Sequence, residues 1–174
     1  HRDLHSFPTR RSSDLKQGLA GEEEAGEAIQ VMAMLNRSAA EILRNYPVSS
    51  CTDVTGFGLL GHLREMVTGS GVSVEVEYRS VPLLQATLKM AVAGAIPGGS
   101  RNNMEFVTEA VEYSSDVPEV MKCILCDAQT SGGLLFSLPS TEAGPCLAAL
   151  QQAGIAEAAI IGRIVQGNGL IRVY

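Results

Sequence analysis

From Glu22 onward the apolar positions recur first at a helical period and then at alternating strand and helix periods, dividing the chain into interspersed elements. Over Glu22 to Asn45, the residues Ala25, Ile29, Met32, Ala33, Asn36, Ala39, Ala40 and Leu43 share one helical face. Glu22, Glu23 and Glu24 complement the dipole in the first turn and Arg44 does so in the last. The spacing predicts one long helix. Asn36 falls on its apolar face, either as a hydrogen-bonded buried amide or as a contact to a neighbouring domain, and the buried amide is the reading adopted. Cys51 to Thr55 reads as a strand, and Leu59, Leu60, Leu63, Met66 and Val67 as the helix that follows it. Val72 to Tyr78 alternates as a strand, with Glu75 and Glu77 outward. Pro82 opens a helix from Leu83 to about Ala93, closed by Gly94.

Ile96 to Asn103 is expected to be a polar loop too rich in glycine for the core, and Thr108 to Tyr113 a short element. Cys123 to Cys126 reads as a short strand or the approach to one, Gly133 to Leu138 as a strand, and Thr141 to Gln152 as a helix ended by Gly154. Ala158 to Val165 and Leu170 to Tyr174 are expected to pair with each other across Gly167-Asn168-Gly169. Strands and helices in this alternation imply a mixed-sheet α/β or α+β domain.

The 174 residues are one domain's worth, and 45% of them are apolar, enough for a globular core. No apolar run is long enough to span a bilayer and no signal peptide is evident, so a soluble, cytoplasmic protein with no membrane association is expected. The net charge of −6, with scattered basic residues, argues against nucleic acid as a partner. Residues 1–15 have no apolar period and resemble the translated adapter segments found at the ends of assembled reading frames. They are read as a non-native or disordered tail that packs against nothing, with Leu4, Phe7 and Leu15 unburied. Without that tail, which carries three arginines and two aspartates, the charge is −7.

Candidate chemistry concentrates in Cys51-Thr52-Asp53-Val54-Thr55-Gly56-Phe57-Gly58-Leu59-Leu60-Gly61-His62. Gly56 and Gly58 let the backbone turn tightly, presenting the Asp53 carboxylate at the mouth of a strand-to-helix turn, where it suits a hard cation or a phosphate-bound metal. The competing reading makes Asp53 a cap or an Asx-turn residue. Gly56 to Gly61 also fits a dinucleotide fingerprint, but Glu75 and Glu77, at the distance of the ribose-binding acid, alternate with Val74 and Val76 as ordinary outward residues. Cys123-Ile124-Leu125-Cys126 could begin a zinc or redox site. Only Cys51, Cys146 and His62 remain as further ligands, and the pair runs straight into Asp127 to Thr130, so two small apolar residues is the preferred reading.

Three segments, Cys51 to His62, Pro97 to Asn103 and Asp127 to Leu135, together with the closing Ile161-Gly162-Arg163-Ile164, resemble in order and spacing the carboxy-terminal domain of the selenophosphate synthetases. These belong to the aminoimidazole-ribotide-synthetase-like superfamily. The likeness covers residues 16–174, and Ala128 stands where that family usually has proline. It implies a three-layer α/β/α domain and an ATP-dependent phosphorylation of selenide to selenophosphate, with AMP and phosphate released. ATP and selenide would be the substrates and Mg2+ the cofactor. By the resemblance Asp53 is a magnesium ligand, and Thr52, Ser100, Asn103, Thr130 and Ser131 line the phosphate-side cleft. No catalytic residue is expected in this chain. The nucleophilic cysteine or selenocysteine, the lysine and most nucleotide contacts belong to an amino-terminal domain that also forms the homodimer, so the chain alone is expected to be inactive. The alternatives are another ATP-using member of the superfamily, of purine-biosynthesis cyclo-ligase or hydrogenase-maturation type, or a stand-alone interaction domain.

Overall fold

The computed structural model describes residues 2–6 and 22–174. Its strands are β1 (Arg2–Ser6), β2 (Ser50–Asp53), β3 (Val72–Val76), β4 (Val111–Tyr113), β5 (Leu134–Pro139), β6 (Ala159–Gln166) and β7 (Ile171–Val173). They form one sheet in the order β2-β5-β1-β6-β3-β7-β4. The helices are α1 (Glu22–Ala33), α2 (Arg37–Leu43), α3 (Gly58–Val67), α4 (Thr87–Val92), α5 (Gly98–Val107), α6 (Glu119–Leu125) and α7 (Ser140–Gln152), with a single 3-10 turn at Tyr78–Ser80.

Strand alternation sorts the sheet's side chains into two cores. Leu135 of β5, Val74 and Val76 of β3 and Ile161 of β6 pack with Leu59, Leu60 and Leu63 of α3 and with Ile124 and Leu125 of α6. Phe136 and Leu138 of β5 face the other way, onto Ala39 and Leu43 of α2 and Cys146 and Leu150 of α7. Helices thus cover both faces, and the three-layer α/β/α expectation holds. Each fully buried Leu or Phe contributes roughly 1.5–3 kcal/mol of transfer free energy. Among the described residues no helix is long and apolar enough to cross a membrane.

Several local expectations are corrected. The long helix is two: the ladder breaks at Met34 to Asn36, because the Asn36 amide leaves the helix to donate from Nδ2 to the Gly132 carbonyl at 2.9 Å. Asn36 is therefore half-buried and satisfied rather than enclosed. The segment expected as a polar loop opens α5, with Pro97 extended at its N-cap and Ser100 and Asn103 buried. Cys123 and Cys126 lie at the end of α6, which Pro118 caps, rather than in a strand. The expected closing hairpin does not form. β6 runs antiparallel and β7 parallel to β3 on its two sides, while the Ser73 hydroxyl accepts the Asn168 and Leu170 N–H groups and holds the turn across the strand end.

The expectation that the tail packs against nothing is corrected for residues 2–6. They form β1, antiparallel to both β5 and β6, because a gap between two strands is filled by backbone hydrogen bonds whatever the side chains. What was expected of the Leu4 side chain, of Phe7 and of Leu15 lies outside the described residues.

All four cysteines are free and, among the described residues, no cluster of three His, Cys, Asp or Glu could hold a metal. Burial pushes the Cys126 thiol up to about 12. Tyr113, whose hydroxyl lies 3.9 Å from the sulfur, pulls part of that back, while Cys123 and Asp127 push further up. The folded state therefore holds this proton more tightly than the unfolded chain, where the thiol titrates near 9.0. The associated stability is fully present below about pH 9 and is lost as pH rises towards 12. Urea midpoints should fall across that window, and Cys126→Ala should make the fall shallower; an unchanged slope would show that the thiol is not buried in solution.

Candidate functional site

Among the described residues β2 is an edge strand, paired with β5, and Asp53 is its last residue, opposite Leu134. The chain then turns through Thr55 and Gly56 into α3. The Thr55 carbonyl accepts the Gly58 N–H at 3.0 Å and the Gln129 N–H at 2.9 Å, tying this turn to the loop between α6 and β5. Gly58 has φ +69°, and a Cβ there would lie 2.6 Å from the Cys126 carbonyl carbon, so only glycine lets the two loops approach. Further along, the Val54 N–H donates to the Gly133 carbonyl at 2.9 Å, and Asn36 grips the same loop from the opposite helix layer.

The amino-terminal part of α5 completes the junction. Asn103 Nδ2 donates to the Gly56 carbonyl at 2.8 Å and to the Cys126 carbonyl at 3.0 Å, joining both loops with one amide. The Ser100 hydroxyl donates to the buried carboxylate of Asp127 at 2.5 Å. Gln129 Nε2 reaches the Asp127 carbonyl at 2.9 Å. Thr55 also engages His62, whose Nε2 accepts the Thr55 N–H at 3.0 Å, so the neutral ring carries its proton on Nδ1. That nitrogen lies 3.0 Å from the Glu65 carboxylate, without the alignment of a hydrogen bond. Outside the turn, the Phe57 ring stacks on Phe106 of α5 at 5.5 Å, and Arg64 covers the Phe106 ring and donates to its carbonyl.

The structure brings the three motifs read from the sequence into one place, but it divides their residues by role. Asp53 is exposed and, among the described residues, its carboxylate makes no hydrogen bond or ion pair. A cap or an Asx turn would require such a bond. The N-cap of α3 is Phe57, with no side-chain capping bond, and the cap reading of Asp53 is removed. Thr130 and Ser131 are exposed at the loop tip, Ser131 with φ 51°, a backbone conformation unusual for serine. Thr52 is half-buried, its hydroxyl donating to the Asp53 carbonyl at 3.2 Å. Ser100 and Asn103 are buried, with their polar atoms committed to the loops they join.

The dinucleotide alternative also ends here. A dinucleotide site needs parallel βαβ strands, whereas β2 pairs antiparallel with β5 and does not neighbour β3. Cys51 beside Asp53 is no activated thiol: desolvation first, and the Asp53 charge second, raise its pKa. The sequence pattern gives Asp127 no role. Asp127 lies inside a quoted motif, but its partner Ser100 is 27 positions earlier, and no local period reveals such a pair.

Among the described residues, no second and third metal-ligating side chain gathers with Asp53. An exposed carboxylate at a glycine-bordered turn has the chemistry of one oxygen ligand of a hard cation.

A profile of the family described as AIR synthase related protein, C-terminal domain, matches residues 6–174. The selenide, water dikinase of Pelobacter propionicus is 42% identical over 155 residues, covering 89% of this chain and 44% of that protein. The enzyme of the same name from Myxococcus xanthus is 39% identical over 156 residues, with 88% and 44% covered. This chain thus spans less than half the length of these curated relatives. Among solved structures, E. coli HypE superposes with a TM-score of 0.64 at 19% identity, over 99% of this chain and 46% of that one. Thiamine-monophosphate kinase from Stenotrophomonas maltophilia gives 0.64 at 18%, over 99% and 49%. At those identities the likeness speaks for the fold.

Proposed function

This chain belongs to the AIR synthase related protein, C-terminal domain family, and on that premise we propose that it is the carboxy-terminal half of a selenide, water dikinase. The observation that carries the reading is the 42% identity to such an enzyme over 89% of the chain, with the motifs that carry the likeness folded into one junction around Asp53. The reaction is ATP-dependent phosphorylation of selenide to selenophosphate, releasing AMP and phosphate. The hydrogenase-maturation alternative rests on the shared fold alone, at 19% identity to HypE.

In this reading Asp53 supplies one carboxylate oxygen to a magnesium ion shared with the other half. Bound there, magnesium would neutralise charge on the triphosphate, the dominant demand of phosphoryl transfer. The work of this chain is positional: Gly58 and Gly132 set the two loops in contact, Asn103 and His62 fix the turn, and the free carboxylate projects from the sheet edge. In this reading Thr52, next to Asp53 in β2, and Thr130 and Ser131 at the tip of the loop that docks on β2 would offer hydroxyl or backbone N–H donors to phosphate oxygens. Ser100 and Asn103 act through the loops, as positioning residues. The nucleophile, the homodimer contact and the remaining metal ligands belong to the amino-terminal half, and the cytoplasm is the expected compartment.

The test joins residues 16–174 to the amino-terminal half of the Pelobacter propionicus enzyme and measures AMP formation. The fusion should form AMP only when selenide is present, and the chain by itself should form none. Selenide-dependent ATP cleavage by this chain alone, or a folded fusion whose ATP cleavage ignores selenide, would refute the assignment.

A further inference from the structure

A strand inside a sheet with a helix layer on each face is buried on both sides, and such strands read as near-continuous apolar runs. β1 holds that place. It pairs with β5 from Arg2 opposite Pro139 to His5 opposite Phe136, and with β6 from Arg2 opposite Ile164 to Ser6 opposite Ala159. α7 packs against it, and its two neighbours send Phe136, Leu138 and Ile161 into the cores. Yet its sequence is Arg-Asp-Leu-His-Ser, with a single apolar residue.

Three further observations mark a poor fit. The register against β6 slips between Leu4 and His5. A cleft of about 250 Å³ opens on the α3 side, lined by Leu63, Met66 and Val67 of α3 together with Ser137 and Ile164 from the strands that flank β1. The family match begins at residue 6, so β1 consists almost wholly of residues outside it.

We infer that the slot between β5 and β6 is an acceptor for an apolar strand, whose natural occupant is the segment immediately preceding this domain in the full-length protein. Residues 2–6 pair with both of its walls through their backbone. The inference rests on the reading that the chain is the carboxy-terminal half of a longer enzyme, and a relative's remaining length supplies ample chain for such a strand. Main-chain hydrogen bonds give strand addition its affinity while side chains set its quality, which is how a polar segment can enter a slot it does not suit.

In the full chain, Asp3→Val with His5→Val should raise the thermal midpoint by several degrees and slow amide exchange in β5 and β6 about tenfold. Leu4→Pro, which removes one ladder donor, should do the opposite. The fusion described above lacks residues 1–15 and should keep β5 and β6 protected through its own upstream strand. An unchanged or lowered midpoint in the valine variant, a silent Leu4→Pro, or a fusion whose β5 and β6 exchange as fast as in Leu4→Pro would overturn the inference. So would a valine variant that is stabilised only as a dimer, since the slot would then belong to a second copy. Exchange protection needs no turnover, so a fusion that is protected but inactive would count against the proposed activity and leave the acceptor slot standing.

Discussion

Gly132→Ala should destabilise the domain by roughly 3 kcal/mol, lowering the thermal midpoint by about 6–12 °C. A Cβ at residue 132 would lie 1.8 Å from the Val54 carbonyl oxygen and 2.8 Å from its carbon. Both are backbone atoms of the segment that follows β2, so neither can swing away as a flexible side chain would. Relief requires pulling the loop before β5 off that segment, which strains the Val54 to Gly133 hydrogen bond and the grip of Asn36 on the Gly132 carbonyl. Gly56→Ala is the matched control. No atom lies within 4 Å of its would-be Cβ, and the cost should stay below about 1 kcal/mol. Circular dichroism melting of the two variants decides the matter. Equal midpoints would mean that the loop is not docked on β2 in solution.

That contrast shows what the sequence could and could not reveal. The glycine string after Asp53 is visible as punctuation, but which glycine is indispensable depends on what approaches it. A Cβ at Gly58 would meet the Cys126 and Asp127 backbone and one at Gly132 would meet Val54, contacts that span many tens of residues, whereas a Cβ at Gly56 would have no atom within 4 Å. Periodicity located α3, β3, β5 and α7 because each buries one consistent face. It failed at α5, where two glycines, a serine and two asparagines look like loop, yet Ser100 and Asn103 are drawn into a helix by Asp127 and by the Gly56 and Cys126 carbonyls. It failed again at β6 and β7. A Gly-Asn-Gly turn between two apolar runs is a sound hairpin signal, but β3, nearly a hundred residues upstream, inserts between them. Asn36 is a satisfied amide, as expected, but half-buried at a helix N-cap rather than enclosed on a helix face. Its partner, Gly132, lies 96 positions away, and a helix must break for the two to meet.

The site follows the same rule. The three motifs were legible one by one because glycine and small polar residues punctuate them. Their convergence is a product of topology: edge strand β2 lies against β5, so the loop before β5 must pass the turn after β2, and α5 caps both. Within that junction the buried members hold the geometry. Asp53 is exposed and, among the described residues, its carboxylate makes no hydrogen bond or ion pair, the observation on which its proposed metal role rests.

Asp53→Asn, made in the fusion with an amino-terminal half, should reduce turnover by about 2–4 kcal/mol in activation free energy, on the order of 30- to 1,000-fold. Asparagine keeps the size and acceptor oxygen of the side chain but removes its charge, and a magnesium ligand depends on that charge. The fold should not register the change. The carboxylate takes no part in capping α3 and, among the described residues, makes no hydrogen bond or ion pair, so the thermal midpoint should stay within the range of ordinary surface substitutions, about 0.5 kcal/mol. The magnesium concentration needed for half-maximal rate should rise in parallel with the lost turnover. Near-normal turnover at limiting magnesium would defeat the metal assignment. A midpoint that falls together with activity would return Asp53 to a structural role in the turn, which its exposure and lack of partners argue against.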